Sequence, residues 1–213
     1  MRHDGGVFRT LRRGYGRALT PAARLLLRMG LSPSAVTVLG AVMVTASALW
    51  FLPRGQLVVG SLAVAVFLLA DGVDGVMARL GGRETRFGAF LDSTMDRLAD
   101  GAVFVGIAWW CGLRSDGVGA GLAAASLVIG FVVSYARARA EVEGWDASVG
   151  VFERGERLVV SLAGTLAVGF GAPVAVLWAA LGVVACGSAV TVCQRVAAAY
   201  RGSRRAIAAG GHG

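Results

Sequence analysis

The 213-residue chain contains no lysine, so all 21 of its basic side chains are arginine. It has only two histidines, His3 and His212, one near each tip. Histidine catalysis and His-rich metal sites are therefore nearly excluded. Three cysteines, Cys111, Cys186 and Cys193, make an odd count, and all sit inside apolar stretches. Neither a disulfide framework nor a Cys-based zinc site can be read from them. Charge is scarce: 16% of residues are charged against 56% hydrophobic, and the mean hydropathy is +0.67. A disordered chain would not be so apolar, and a soluble domain needs more polar surface than this composition can supply. What remains is an all-α integral membrane protein. Its net charge of +8 suits anionic lipid rather than nucleic acid as a partner.

A membrane span takes about 20 mostly apolar residues. Six such stretches are legible, roughly Ser34 to Leu52, Gln56 to Leu80, Phe87 to Leu113, Val118 to Ala140, Phe152 to Phe170 and Pro173 to Tyr200. Of the arginines, only Arg54 and Arg114 fall on one side of these spans; the others share the opposite side. By the positive-inside rule both termini are then cytoplasmic, which requires an even number of spans. Trp50, Trp109, Trp110 and Trp178 fall near the other ends of their spans, where an aromatic belt belongs. Ahead of the first span, Val7, Phe8, Leu11 and Tyr15 recur at helical spacing between Arg9, Arg12, Arg13 and Arg17, the pattern of an interfacial amphipathic helix. No cleavable signal peptide is expected, because the N-terminus is Arg-rich and lacks a compact apolar core. The organisation predicted is an interfacial segment over 1–31, a six-helix membrane domain over 32–201 and a disordered basic tail over 202–213.

The acids are unevenly placed. Asp71, Asp74, Asp92, Asp96 and Asp100 lie within or at the edge of the second and third spans. An Asp at mid-span costs about 2.5–3.5 kcal/mol on insertion scales, so these side chains must face a cavity and have cationic company. Asp71 and Asp74 are separated by three residues, with Gly75 and Ala78 on the same helix face; Asp92 and Asp96 are separated by four, with Gly88 one turn earlier. Like charges at these spacings repel. Two facing pairs form an all-oxygen cage that one or two divalent cations would hold together, and hard oxygen donors without His or Cys favour Mg²⁺ or Mn²⁺. Mg²⁺ commonly shares its coordination with substrate phosphates. Gly75, Ala78 and Gly88 leave room for a bulky ligand, and Arg79 can grip a phosphate. The competing reading is a buried ion-pair network with Arg79, Arg83, Arg86 and Arg97, which would stabilise little. Asp100 is left out of the site, because pairing with Arg97 accounts for it.

These residues carry a resemblance. Asp71-Gly72-Val73-Asp74-Gly75-Val76-Met77-Ala78-Arg79, followed after eight residues by Gly88, Asp92 and Asp96, is similar to the signature of the CDP-alcohol phosphotransferase family. The stretches Thr85-Arg86-Phe87-Gly88, Ser134 to Glu141 and Phe152 to Arg157 resemble the actinobacterial phosphatidylinositol phosphate synthases of that family. The resemblance implies a six-span homodimer in the cell membrane, with its active site on the cytoplasmic side. Such an enzyme moves a phosphatidyl group from CDP-diacylglycerol to myo-inositol phosphate and releases CMP. It further implies that Asp71, Asp74, Asp92 and Asp96 hold two divalent cations and that Asp96 is also the general base. Ser34, Ala35, Val36, Thr37, Gly75, Arg79 and Thr85 would contact the CDP-lipid, and Arg137, Arg154 and Arg195 the acceptor's phosphate. Relatives tend to carry an acid or amide where Ser34 stands, and often Lys where Arg137 stands. Three Arg together favour a phosphorylated acceptor but leave glycerol phosphate, hence a phosphatidylglycerophosphate synthase, as a rival. An Asp-rich membrane prenyltransferase would need a different Asp spacing. In a cation channel, Arg79, Arg83 and Arg86 would repel the permeant ion.

Overall fold

The computed structural model describes residues 19–81 and 85–210. The predicted amphipathic helix around Val7 to Arg17 and the residue Arg83 lie outside the described residues, as does the Asp71 side chain within its helix. After a short helical segment, 19–28, six longer helices follow: α1 (Pro33–Phe51), α2 (Leu57–Gly81), α3 (Arg86–Leu113), α4 (Gly117–Val142), α5 (Arg154–Gly169) and α6 (Ala175–Gly210). Their limits fall within a few residues of the predicted spans, except at the chain's end. There the last helix runs on to Gly210, so the stretch expected to be a disordered tail from residue 202 is helical as far as the description extends. Arg204, Arg205, Ala206, Ala208 and Ala209 are strong helix formers, and a lone Gly202 does not interrupt them.

Four of these helices are long and apolar enough to cross a membrane: Pro33–Phe51, Leu57–Gly81, Gly117–Val142 and Ala175–Ala206. α3 has the length, but it carries Asp92, Asp96, Arg97 and Asp100 in its first half. α5 has 16 residues, about 24 Å of rise, which falls short of a full hydrocarbon thickness. Large apolar side chains such as Leu39, Trp50, Val66, Phe90, Val128 and Val159 are exposed, the arrangement expected of a surface solvated by lipid. The chain is an integral membrane protein whose regular structure, among the described residues, is all helical.

Helix ends follow local chemistry. Ser32 caps α1, its Oγ accepting from Ala35 N at 3.1 Å, with Pro33 at the first helical position. Asp116 caps α4 through Gly119 N (2.9 Å), and its other oxygen accepts from the Trp178 indole (2.9 Å). Segment 19–28 ends in a Schellman motif, Leu31 N to Leu26 O and Gly30 N to Leu27 O, with Gly30 at φ +80°. The same motif closes α3, but Ser115 takes the left-handed position at φ 58°, a conformation that suits glycine better.

The chain divides into two compact units, one within Met1–Ser47 and Leu62–Ala102 and the other within Ala48–Ser61 and Val103–Gly213. In the first, Ala23 of the short helix is buried with Val73, Val76 and Met77 of α2, flanked by Leu19, Leu26, Leu27, Leu31 and Val36. In the second, α4 and α5 pack on α6. Small residues let the helices approach: Gly164 lies against Ala180, and Ser126 Oγ donates to Leu181 O at 3.2 Å. Between α4 and α5 the chain runs without regular structure along α6. Trp145 packs on Gly202, Val149 O accepts from Arg195 Nε (2.9 Å), Phe152 N donates to Thr191 Oγ1 (3.0 Å), and the Phe152 ring fills the notch at Gly187.

Candidate active site

The first unit contains a cavity of about 480 Å³, the size of a small-ligand site. The start of α1 supplies Ser32, Pro33, Ser34 and Thr37; the end of α2 supplies Asp74, Gly75, Ala78 and Arg79. Thr85 and the first turns of α3 supply Gly88, Ala89 and Asp92. Residues 34 and 37, 74 and 78, and 85, 88 and 92 recur at helical spacing, so three elements each present one face to the same space. Two helix starts open onto it as well, each leaving amide donors that favour an anion. Thr85 caps α3, its Oγ1 accepting from Gly88 N at 2.9 Å. The Arg79 guanidinium folds over Gly75, where an added Cβ would stand 3.6 Å from Nη1. A basic fork, two helix starts and a glycine floor together suit a diphosphate.

The carboxylates differ in surroundings. Asp74 is buried at 9% exposure; Thr37 Oγ1 donates to its Oδ2, and Gly75 N donates to its Oδ1 at 2.5 Å. Asp92 is exposed on the cavity wall. Asp96, one turn further along α3, is half-buried, with Oδ2 3.9 Å from Arg97 Nη2. Asp100 is buried and 3.7 Å from the same guanidinium. Among the described residues no group of three or more carboxylate, His or Cys side chains is arranged to hold a metal; the Asp71 side chain is outside that set. Asp74, Asp92 and Asp96 offer oxygen donors alone, and neither His nor Cys lines the cavity. That donor set fits Mg²⁺ or Mn²⁺ rather than a softer ion.

Of the predicted CDP-lipid contacts, Ser34, Thr37, Gly75, Arg79 and Thr85 line the cavity. Ala35 and Val36 do not; Val36 packs into the apolar cluster around Met77. Ser32, Pro33 and Ala89 line it too, although none of them was among the expected contacts. The step of three or four residues from Thr37 back to Pro33 and from Thr85 on to Ala89 was the available signal. The bond from Thr37 to Asp74 had none, since it spans 37 residues of chain.

The three arginines expected around the acceptor lie in the second unit. Arg137 Nε donates to Glu141 at 2.8 Å on the exposed face of α4. Arg154 is half-buried in the first turn of α5. Arg195 is buried at 4% exposure; its Nε bonds Val149 O (2.9 Å), its Nη1 bonds Val133 O (2.7 Å), and its Nη2 reaches 3.9 Å from Glu153.

Comparison with known proteins bears directly on this site. Residues 30–192 match the family model described as CDP-alcohol phosphatidyltransferase. A phosphatidylinositol phosphate synthase of Streptomyces avermitilis is 46% identical over 202 residues, covering 92% of this chain and 83% of the relative. One from Mycolicibacterium smegmatis is 43% identical over 193 residues, covering 89% and 87%. The crystal structure of the Mycobacterium tuberculosis phosphatidylinositol phosphate synthase with CDP-DAG bound superposes with a TM-score of 0.82 at 40% identity, over 86% of this chain and 94% of that one. Its complex with manganese and citrate gives 0.81 at 40% identity, over 85% and 88%. With the matched segment spanning the whole cavity, the chain belongs to the CDP-alcohol phosphatidyltransferase family.

Proposed function

We propose that the protein transfers the phosphatidyl group from CDP-diacylglycerol to an inositol phosphate, giving phosphatidylinositol phosphate and CMP. The observation that carries this reading is the cavity where Asp74, Arg79, Thr85 and Asp92 meet, in a chain 40% identical to a synthase solved with CDP-DAG bound. The CDP-lipid diphosphate lies against Arg79 and the two helix starts, with Ser34, Thr37, Gly75 and Thr85 around the nucleotide. Asp71, Asp74, Asp92 and Asp96 would hold Mg²⁺ or Mn²⁺, two ions in each site, with Thr37 fixing the Asp74 carboxylate. Ions held there would supply charge neutralisation for the diphosphate and for departing CMP.

Asp96 accepts the proton of an acceptor hydroxyl, whose oxygen attacks the phosphorus bearing diacylglycerol as the bond to CMP breaks. Position and charge complementarity do most of the work in such a transfer. Arg137, Arg154 and Arg195 form the acceptor's phosphate site, Arg195 largely by holding residues 133 and 149 in place. The membrane domain makes six crossings with both termini and the active site cytoplasmic, supported by the placement of every Arg but Arg54 and Arg114 on one side. It functions as a homodimer.

The test is turnover by the purified protein. CDP-diacylglycerol and Mg²⁺ should release CMP with an inositol phosphate, and far more slowly with glycerol 3-phosphate or free inositol. Preference for glycerol 3-phosphate would overturn the acceptor assignment, and indifference to chelation would overturn the metal site.

A further inference from the structure

A carboxylate stands among the arginines of the acceptor site. Glu153 Oε1 is 3.9 Å from Arg195 Nη2, and Glu153 is adjacent in sequence to Arg154. Its side chain is 54% exposed, so a ligand can reach it. The position is built rather than incidental. The segment leading to it is held along α6 by Arg195 on Val149 O and by Thr191 Oγ1 on Phe152 N, and Gly187 and Gly150 leave no room there for a Cβ. Glu153 N then bonds Glu156 Oε2 at 3.0 Å, which fixes the start of α5.

For phosphate binding alone, a carboxylate in this place is a liability, because it repels the anion the arginines attract. An inositol phosphate also presents ring hydroxyls, and hydroxyls need acceptors that Arg cannot provide. We infer that Glu153 is a specificity residue whose carboxylate accepts hydrogen bonds from ring hydroxyls of the acceptor while the neighbouring arginines hold its phosphate. This rests on the acceptor reading above. It adds that the site recognises a polyol phosphate by its hydroxyls, which a shorter acceptor such as glycerol phosphate presents in a different array.

The experiment compares wild type and Glu153→Ala, which removes the acceptor that Gln would keep, with inositol phosphate and with a series of analogues each lacking one ring hydroxyl. Wild type should lose tenfold or more in kcat/KM for at least one deoxy analogue, whereas Glu153→Ala should barely distinguish that analogue from the parent, and the KM for CDP-diacylglycerol should be unchanged. A residue that merely capped α5 would lower all analogues in parallel, which would overturn the inference. So would a lower KM for inositol phosphate in the variant, because relief of repulsion would then dominate. If the variant does not turn over, calorimetric binding of the same series to the intact protein makes the same comparison. Failure of wild type to use any inositol phosphate would instead remove the acceptor reading itself.

Discussion

Thr37→Val separates two roles for one side chain. Thr37 is 5% exposed; the substitution keeps its shape and removes a hydroxyl that donates to the buried Asp74 carboxylate. A hydrogen bond to a charged group contributes about 1.5–3 kcal/mol, and its loss leaves the carboxylate with one donor fewer. At about 1.4 kcal/mol per decade this is roughly a 10- to 150-fold effect. Groups that orient metal ligands typically shift metal affinity by about 10–100-fold, so the two routes agree. The assay is CMP release as a function of Mg²⁺ or Mn²⁺ concentration. Thr37→Val should raise the half-saturating metal concentration within that range and recover much of its rate at high metal, while Thr37→Ser stays close to wild type. If Thr37→Val leaves the metal dependence unchanged and raises only the KM for CDP-diacylglycerol, Thr37 is a lipid contact and the reasoning fails.

Asp96→Asn should lower kcat by about 10²–10⁴-fold, as loss of a general base does; near-normal turnover would refute the base role. Ser115→Gly should relieve a left-handed residue costing about 1–2 kcal/mol, less the greater entropy of glycine, for a net gain of up to ~1 kcal/mol. Its melting temperature in detergent should rise by about 2–4 °C, and no change would mean the cap is unstrained. Burial raises the Asp116 carboxyl pKa, but hydrogen bonds from Gly119 N and the Trp178 indole outweigh it and hold the group below its ordinary value. Its contribution to stability is therefore complete above the usual carboxylate range and lost as pH falls through the depressed value. Asp116→Asn should flatten the melting-temperature curve below about pH 4; an acid limb as steep as that of wild type would refute it.

Much of the helical frame was legible because lipid imposes a length and an apolar run on every span, and both survive in the sequence without any partner. The acid spacing was legible for a related reason: an Asp buried in a span must be explained locally. Less could be read where the determinant is distant in sequence. The resemblance gives Ser34 to Thr37 as one contact strip, whereas a helix turns positions 35 and 36 away from the face shared by 34 and 37. The resemblance gives Arg195 as a phosphate ligand, but the sequence does not show that its Nε and Nη1 also meet backbone carbonyls 46 and 62 residues away. The path of residues 145–153 along α6 left no periodic trace, because irregular backbone held by scattered notches has none. The end of α6 runs past the predicted span because a small, basic stretch reads as disorder, although Arg and Ala favour helix.

That longer helix has a practical consequence. At 36 residues α6 rises about 54 Å, longer than the about 30 Å of hydrocarbon that one crossing needs. Trp145 braces its far end at Gly202. A rigid helical fusion joined in register after Arg205 would inherit that bracing and give a chain of only 21.8 kDa an orientation marker for single-particle imaging.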